Sequence, residues 1–278
     1  MEVEGVVFDM DGVLRIGSKI VNGAENILET LSKRGIKTMI VTNECRYSVS
    51  ELKEELHELG LLVPKNCQFY TAALSAKDYL EKKITRFPEE KFRITVVGEL
   101  GLYSAISKLS RYNNFRLEEE YEDYMENDRK YIIVGTVNKI KFGHLNKILE
   151  WYRNGAKIIT TCVDTTDPSS KGDFNLGMPK HMLHMVDYNI KTKSYSTGKP
   201  HPIHKEKIMK CMEINDENKV MFIGDTIYSD IRLAEESGFR SCLVLTGNSS
   251  RDTLKSYVTE PDHVINNLDE LKEILSLN

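Results

Sequence analysis

Three short stretches of this 278-residue chain end an apolar run with side chains able to attack, donate or bind, and a fourth supplies a lysine. Phe8-Asp9-Met10-Asp11-Gly12-Val13-Leu14 puts two aspartates two residues apart after the run Val3 to Phe8. In an extended chain, residues i and i+2 point to one side. Asp9 and Asp11 can therefore converge above the strand's carboxyl end while Met10 points away, and Gly12 lets the chain turn there. Met221-Phe222-Ile223-Gly224-Asp225 repeats the arrangement, with Asp230 following. Ile40-Val41-Thr42-Asn43 ends in a hydroxyl and a carboxamide, both good partners for phosphate oxygens. Thr197-Gly198-Lys199-Pro200 supplies a lysine, but not at the GxxxxGK[ST] spacing of a P-loop. Pro200 suits the first turn of a helix.

Each stretch alone has an ordinary alternative. Aspartates close turns, Thr or Asn caps a helix, and a lone lysine is usually a surface lysine. The repetition carries more weight. A parallel sheet can bring Asp225 beside Asp9, although most of the chain separates them. Two unit charges 4 Å apart repel by roughly 4 kcal/mol at an effective dielectric of 20. Three or four converging carboxylates thus need a proton or a cation. Oxygen-only ligands select a hard ion, Mg²⁺ before Ca²⁺. Mg²⁺ keeps waters and bridges to phosphates, which points to phosphoryl chemistry.

The elements that would position these groups are legible as a rhythm. Strands are expected at Val3 to Phe8, Thr38 to Val41, Ile94 to Val97, Tyr131 to Val134, Lys157 to Thr160, Val220 to Ile223 and Cys242 to Leu245. Amphipathic helices fit Ala24 to Arg34, Ser50 to Leu59 and Ile227 to Glu236. Strand then helix, repeated, predicts an α/β protein with a mainly parallel sheet. Several strands are apolar throughout, as when helices cover both faces. Glu118 to Lys130 reads as a polar connection, and Lys191 to Ser196 as a hinge or strand edge.

Composition bounds the rest. Hydrophobic residues are 40%, charged residues 29% and net charge −4, which excludes collagen-like, disordered and disulfide-scaffold classes and points away from nucleic acid. Five widely spaced cysteines without a CxxC fit a reducing compartment. The opening lacks a basic leader, and no apolar run approaches ~18 residues. A cytoplasmic location without a membrane partner is expected. His181 with His184, and His201 with His204, sit three apart. Zinc would need a third ligand that the sequence does not show, so ordinary histidines are expected. Trp151 and Tyr152 are expected in a core.

Taken together, the ordered motifs resemble the haloacid dehalogenase-type hydrolase superfamily over nearly the whole chain. The carriers are DxDG at Asp9 to Gly12, the hydroxyl at Thr42, Lys199, and GDxxxxD at Gly224 to Asp230. The long insert between the second and third motifs is similar to a C2-type cap, as in NagD-like and 4-nitrophenylphosphatase-like phosphatases. The resemblance implies a Rossmann-like core over residues 1–72 and 197–278 and a substrate-selecting α/β cap over 73–196. It implies that Asp9 is the nucleophile and forms an aspartyl-phosphate, and that Asp11 protonates the leaving oxygen and then activates water. Thr42 and Asn43 would hold the phosphoryl group, and Lys199 would neutralise Asp9 and the phosphate. Asp9, the backbone carbonyl of Asp11, and Asp225 would bind Mg²⁺, with Asp230 supporting the ion.

The implied activity is a Mg²⁺-dependent phosphatase for small phosphorylated metabolites, with 4-nitrophenyl phosphate as an artificial substrate and a homodimer formed through the cap. A 2-haloacid dehalogenase and a silent phospho-ligand-binding protein are the alternatives. Three departures bear on substrate. Glu44 stands where relatives often carry a second Asn, and adds charge near the phosphate unless it points away. The Asn-Pro-Asp-like cap segment survives only in part, in Thr161 to Asp167, where Asp164 and Thr165 are the candidate specificity residues. An aspartate frequent after the cap's VVG-like strand is replaced by Thr136-Val137.

Overall fold

The computed structural model describes residues 3–87, 92–109, 113–116, 129–168, 174–191, 194–258 and 260–277. It is a mixed α/β protein built on two parallel sheets. The first sheet has six strands in the order β15 (His263–Ile265), β14 (Arg240–Val244), β13 (Val220–Gly224), β1 (Gly5–Phe8), β4 (Lys37–Thr42) and β5 (Gln68–Thr71). Every neighbouring pair in it is parallel. The second has five strands, β12 (Ser194–Ser196), β9 (Lys157–Thr160), β8 (Arg129–Val134), β6 (Phe92–Val97) and β7 (Asn113–Arg116), again parallel throughout. Two small hairpins complete the strands, β2–β3 (Arg15–Ile16 with Lys19–Ile20) and β10–β11 (Thr166–Pro168 with Phe174–Leu176).

Alternation within apolar strands feeds two cores at once. Val6 and Phe8 of β1, Ile40 of β4, and Met221 and Ile223 of β13 pack with Ile27, Leu28 and Leu31 of α1 (Ala24–Lys33) and with Leu52 and Leu56 of α2 (Val49–Glu58). The alternate residues Val7, Met39, Val41, Val220 and Phe222 face α7 (Ile203–Met212) and α8 (Arg232–Ser237). Helix α2 starts on a reciprocal cap. The Ser48 hydroxyl accepts from the Glu51 N–H, and the Glu51 carboxylate accepts from the Ser48 N–H.

The chain leaves the first sheet after β5 through α3 (Ala72–Thr85) and returns from β12 at Thr197. In between, α3 and α4 (Leu100–Ser107) cover one face of the second sheet. Helices α5 (Phe142–Arg153) and α6 (Met178–Ile190) cover the other, with Trp151 buried and Tyr152 packed against the same cluster.

All seven expected strands form, extended or trimmed by a residue or two at their ends. The pattern misses β5, β7 and β15, which are short and mix polar residues with apolar ones, and the two small hairpins. The expected helix over Ile227 to Glu236 is two pieces: a wide turn over Ile227–Ile231, then α8. Pro200 stands before α7 rather than inside its first turn, in a bend where the His201 N–H donates to Gly198 O. Most of Glu118 to Lys130 lies outside the described residues, and Ser194–Ser196 is an edge strand. All five cysteines are free. Among the described residues, no helix is long and apolar enough to cross a membrane.

The strand order reverses beside β1, where β4 lies on one side and β13 on the other. Ligands in open α/β sheets bind at the carboxyl ends flanking such a point. The central strands hold that point rigid. Phe222→Ala is expected to cost about 3–5 kcal/mol, read as a lower urea midpoint with an unchanged slope.

Candidate active site

Asp9 follows β1 directly, and its N–H still pairs with Ile223 O of β13 at 2.8 Å. Asp225 follows β13, and Asp230 lies in the wide turn after it. Asp9, Asp225 and Asp230 each offer a carboxylate oxygen, all within 4.8 Å of one another, and all three residues are buried. Parallel neighbours with matched register thus bring the two strand-end aspartates together, as the sequence pattern suggests.

Lys199 reaches this cluster from the segment returning from the second sheet. Its Nζ lies 2.6 Å from Asp9 Oδ1, 2.7 Å from Asp230 Oδ1 and 3.1 Å from Val41 O. The contacts to Asp9 and Val41 are hydrogen bonds, and the one to Asp230 is an ion pair. Burial would discharge the lysine, but Asp230 and Asp9 outweigh it and push its pKa up. Asp230 Oδ2 meanwhile accepts from the N–H groups of Asp225 and Thr226, at 3.2 and 3.0 Å. It therefore shapes the turn and holds the lysine at the same time.

Asp225 is fixed from the far side. Its Oδ2 accepts from the Asn248 N–H at 2.6 Å, and its Oδ1 accepts from the Thr226 hydroxyl at 3.2 Å. Gly12 and Gly247 let the backbone close around this carboxylate. A Cβ on Gly12, at φ +87°, would lie 2.2 Å from Asp225 Oδ2, and one on Gly247 would lie 1.9 Å from it.

Three carboxylates share one ammonium, so the cluster carries excess negative charge. Burial, then the Asp230 charge, raises Asp9 well above the usual carboxylate range, against the pull of Lys199. The same two causes push Asp225 up to about 7. A buried, oxygen-only and over-charged donor set suits a hard divalent cation such as Mg²⁺.

Asp11 sits at the rim of this cluster. Its carboxylate is outside the group of three and turns to Arg15, accepting from Nε at 2.8 Å. Arg15 also lies 2.7 Å from Glu55 of α2. Burial raises the Asp11 pKa in spite of Arg15. A partly exposed carboxyl with a raised pKa, two residues from a buried one, is a sound acid–base candidate.

Thr42, Asn43 and Lys199 line a cavity of about 410 Å³ with Asp9 and Asp11. Thr42 Oγ1 accepts from the Glu44 N–H at 3.0 Å, and its own proton remains to donate. Asn43 is more committed than expected. Its Oδ1 accepts from the Lys199 N–H at 3.0 Å, and its Nδ2 donates to Asp164 Oδ2 at 2.5 Å. Asn43 therefore ties Lys199 to the loop after β9. Asp164 reaches the cavity wall; Thr165 is exposed and is not among the lining residues, whereas Thr166 is.

Glu44 is turned back on its own loop. Its Oε1 accepts from the N–H groups of Cys45 and Arg46 at 2.8 and 2.7 Å, and both oxygens take the Arg46 guanidinium. Burial would raise its pKa, yet Arg46 more than offsets that and holds it low. Elements of the second sheet unit grip this same loop. The Gly101 N–H donates to Arg46 O at 2.8 Å, the Thr136 N–H points to Cys45 Sγ at 3.2 Å, and the Thr161 hydroxyl lies 3.5 Å from that sulfur.

Neither histidine pair joins a metal-capable group; among the described residues the one group of three is Asp9, Asp225 and Asp230. His181 bonds Gly177 O and His184 is exposed. His201 bonds the Tyr195 hydroxyl at 2.6 Å, and buried His204 bonds Thr197 O at 3.0 Å. Sequence reasoning missed Arg15, Arg46, Glu55 and Asn248 at the site. The signal for Arg15 and Arg46 was present: each arginine follows a catalytic motif within four residues.

The chain is similar to known proteins over most of its length. A sequence model described as "Haloacid dehalogenase-like hydrolase" matches residues 6–110, and a second haloacid dehalogenase-type hydrolase model matches 196–271. The ribonucleotide monophosphatase NagD of Escherichia coli K12 is 26% identical over 274 residues, covering 99% of this chain and 100% of its own. The crystal structure of a hypothetical protein from Pyrococcus horikoshii OT3 superposes with a TM-score of 0.83 at 26% identity, covering 99% of this chain and 100% of its own. A glycerol phosphate phosphatase from Mycobacterium tuberculosis, solved in complex with magnesium, has a TM-score of 0.79 at 22% identity, covering 97% of this chain and 76% of its own.

The cluster's titration gives a test. Asp225 binds its proton more tightly folded, at about 7, than unfolded, near 3.9. Its contribution to the metal-free chain is full below ~4 and is lost as pH rises through about 7. A divalent cation bound to the deprotonated cluster would reverse that loss. Melting temperatures with Mg²⁺ and with EDTA are expected to differ more at pH 8 than at pH 5, and the gap is expected to shrink in Asp225→Asn. An equal gap at both pH values would remove the cation assignment.

Proposed function

The chain belongs to the haloacid dehalogenase-like hydrolase superfamily, on its NagD-like branch, and from that premise we propose a Mg²⁺-dependent phosphatase acting on small phosphate monoesters through an aspartyl-phosphate. One observation carries the reading: Asp9 and Asp11 face one cavity, with Lys199, Asp225 and Asp230 clustered behind Asp9.

In this reading the Asp9 oxygen not held by Lys199 attacks phosphorus, and the bond to the leaving oxygen breaks. Asp11 gives that oxygen its proton, so the leaving group departs as a neutral alcohol. Asp11, now a carboxylate, takes a proton from water. The water oxygen attacks the same phosphorus, frees Asp9 and releases inorganic phosphate. Lys199 stays cationic throughout and balances Asp9. Thr42 donates to a phosphoryl oxygen, and Asn43 keeps the Lys199 backbone in place. Mg²⁺, held by Asp9 and Asp225 with the Asp11 carbonyl and supported by Asp230, would supply charge stabilisation for the phosphoryl group. A dehalogenase would leave Asp11 without a task.

Residues 73–196 act as the cap in this reading. The second sheet unit supplies Asp164, Thr136 and Asn138 to the cavity, so it excludes water and shapes the leaving-group end. The reading further includes a cytoplasmic location and a homodimer paired through the cap.

Phosphate release from 4-nitrophenyl phosphate is expected with Mg²⁺ and not with excess EDTA. Asp9→Asn should lower turnover by about a thousand-fold or more. Near-normal turnover in that variant would sink the mechanism. Asp11→Asn should lower turnover while leaving the Mg²⁺-dependent melting shift in place.

A further inference from the structure

The leaving-group end of the cavity has its own charge pattern. Besides Lys199, the wall carries two more cations among the described residues, Arg15 and Arg46. Both are already matched. Arg15 is buried between Asp11 and Glu55. Arg46 is about one third exposed and is held by both oxygens of Glu44. Lys199 is spent on Asp9 and Asp230.

Glu44 is not a chance surface partner. It is 8% exposed, and two backbone N–H groups fix its Oε1 from below while the guanidinium takes it from the side. Its rotamer is therefore set by the loop itself, and its charge is delivered to Arg46 in a poorly solvated place. A leaving group with a second anion needs a cation free to meet it, because a buried anion without a partner is costly. A hydroxylated, uncharged leaving group needs only acceptors and dipoles. The wall has those in Glu55, Asn138 and Thr136. The cavity of about 410 Å³ falls within the ~300–1,000 Å³ of ordinary small-ligand sites.

We propose that Glu44, by clamping Arg46, is a specificity-determining residue that directs the site to phosphate esters of uncharged polyols and sugars and against phosphorylated acids and bisphosphates. The proposal rests on the phosphatase reading and adds to it the charge of the leaving group. Specificity is here built by refusal as much as by attraction.

The test uses two esters of equal size, the terminal phosphates of glycerol and of glyceric acid, which differ in a hydroxymethyl against a carboxylate. Turnover of 4-nitrophenyl phosphate is followed in parallel. Wild-type enzyme is expected to favour the glycerol ester in kcat/KM by about tenfold or more. Glu44→Gln keeps an oxygen for the two backbone donors and frees the guanidinium. It should shrink that preference by about tenfold, chiefly through a lower KM for the acid ester. Arg46→Gln leaves Glu44 unbalanced and should widen the preference. The double variant restores a neutral wall and should return the ratio towards wild type. If Glu44→Gln folds poorly, Arg46→Gln and the wild-type ratio still decide.

Equal use of both esters by the wild type overturns the proposal. So does a ratio that neither variant moves. In both cases continued turnover of 4-nitrophenyl phosphate leaves the phosphatase reading standing. No turnover of any ester by the wild type sinks that reading, and this proposal with it.

Discussion

A buried ammonium surrounded by carboxylates is the interaction on which the rest of the site depends. Lys199 is 1% exposed and is satisfied by Asp9, Asp230 and Val41 O. An unpaired cation at that depth would be far from tolerable, and so would three unpaired aspartates. Each side licenses the other. The geometry that results is demanding, because the partners come from four places: the end of β1, strand β4, the turn after β13, and the segment re-entering from the second sheet. Only a sheet with β1 between β4 and β13 puts those places within one lysine's reach. The rigid, doubly covered strands keep them there.

The loop after β4 extends that dependence outward. Thr42, Asn43, Glu44, Cys45 and Arg46 are consecutive, and each makes a contact that the others cannot. Asn43 spans Lys199 and Asp164. Glu44 folds back on its own backbone and on Arg46. Cys45 and Arg46 meet the second sheet unit. A segment of five residues thereby joins the surroundings of Asp9, the cavity wall and the second sheet unit. The packing tolerates little: a Cβ on Gly101 would lie 2.4 Å from the Tyr47 carbonyl carbon, so the close approach needs glycine.

Much of this was legible in the sequence, for a physical reason. Strands buried on both faces are written as apolar runs, and parallel strands end on one side of the sheet. The aspartates after Phe8 and Gly224 therefore had to be neighbours if those two strands paired. What stayed hidden were choices made by side chains after the backbone was set. Glu44 could have faced Asp9 and Thr42; two adjacent N–H donors and Arg46 hold it to its own loop instead. Asn43 had the chemistry of a phosphate partner, and most of its carboxamide went to protein contacts instead. The turn at Ile227 to Ile231 kept the apolar spacing of a helix. Yet Asp230 draws the N–H groups of Asp225 and Thr226 to its side chain, and the Ile231 N–H reaches back five residues to Thr226 O. Periodicity does not see such competition between side chain and backbone.

The grip of Gly101, Thr136 and Thr161 on residues 45 and 46 has a kinetic consequence. The covering unit is fastened to the loop that begins with Thr42 and Asn43, beside the lysine they help to hold. Swinging it aside means either breaking those contacts or dragging the loop. Admission of solvent and loosening of whatever the loop holds are thus one mechanical event rather than two. A bound anion would be released in step with such an opening, and the lifetime of that latch would then pace turnover.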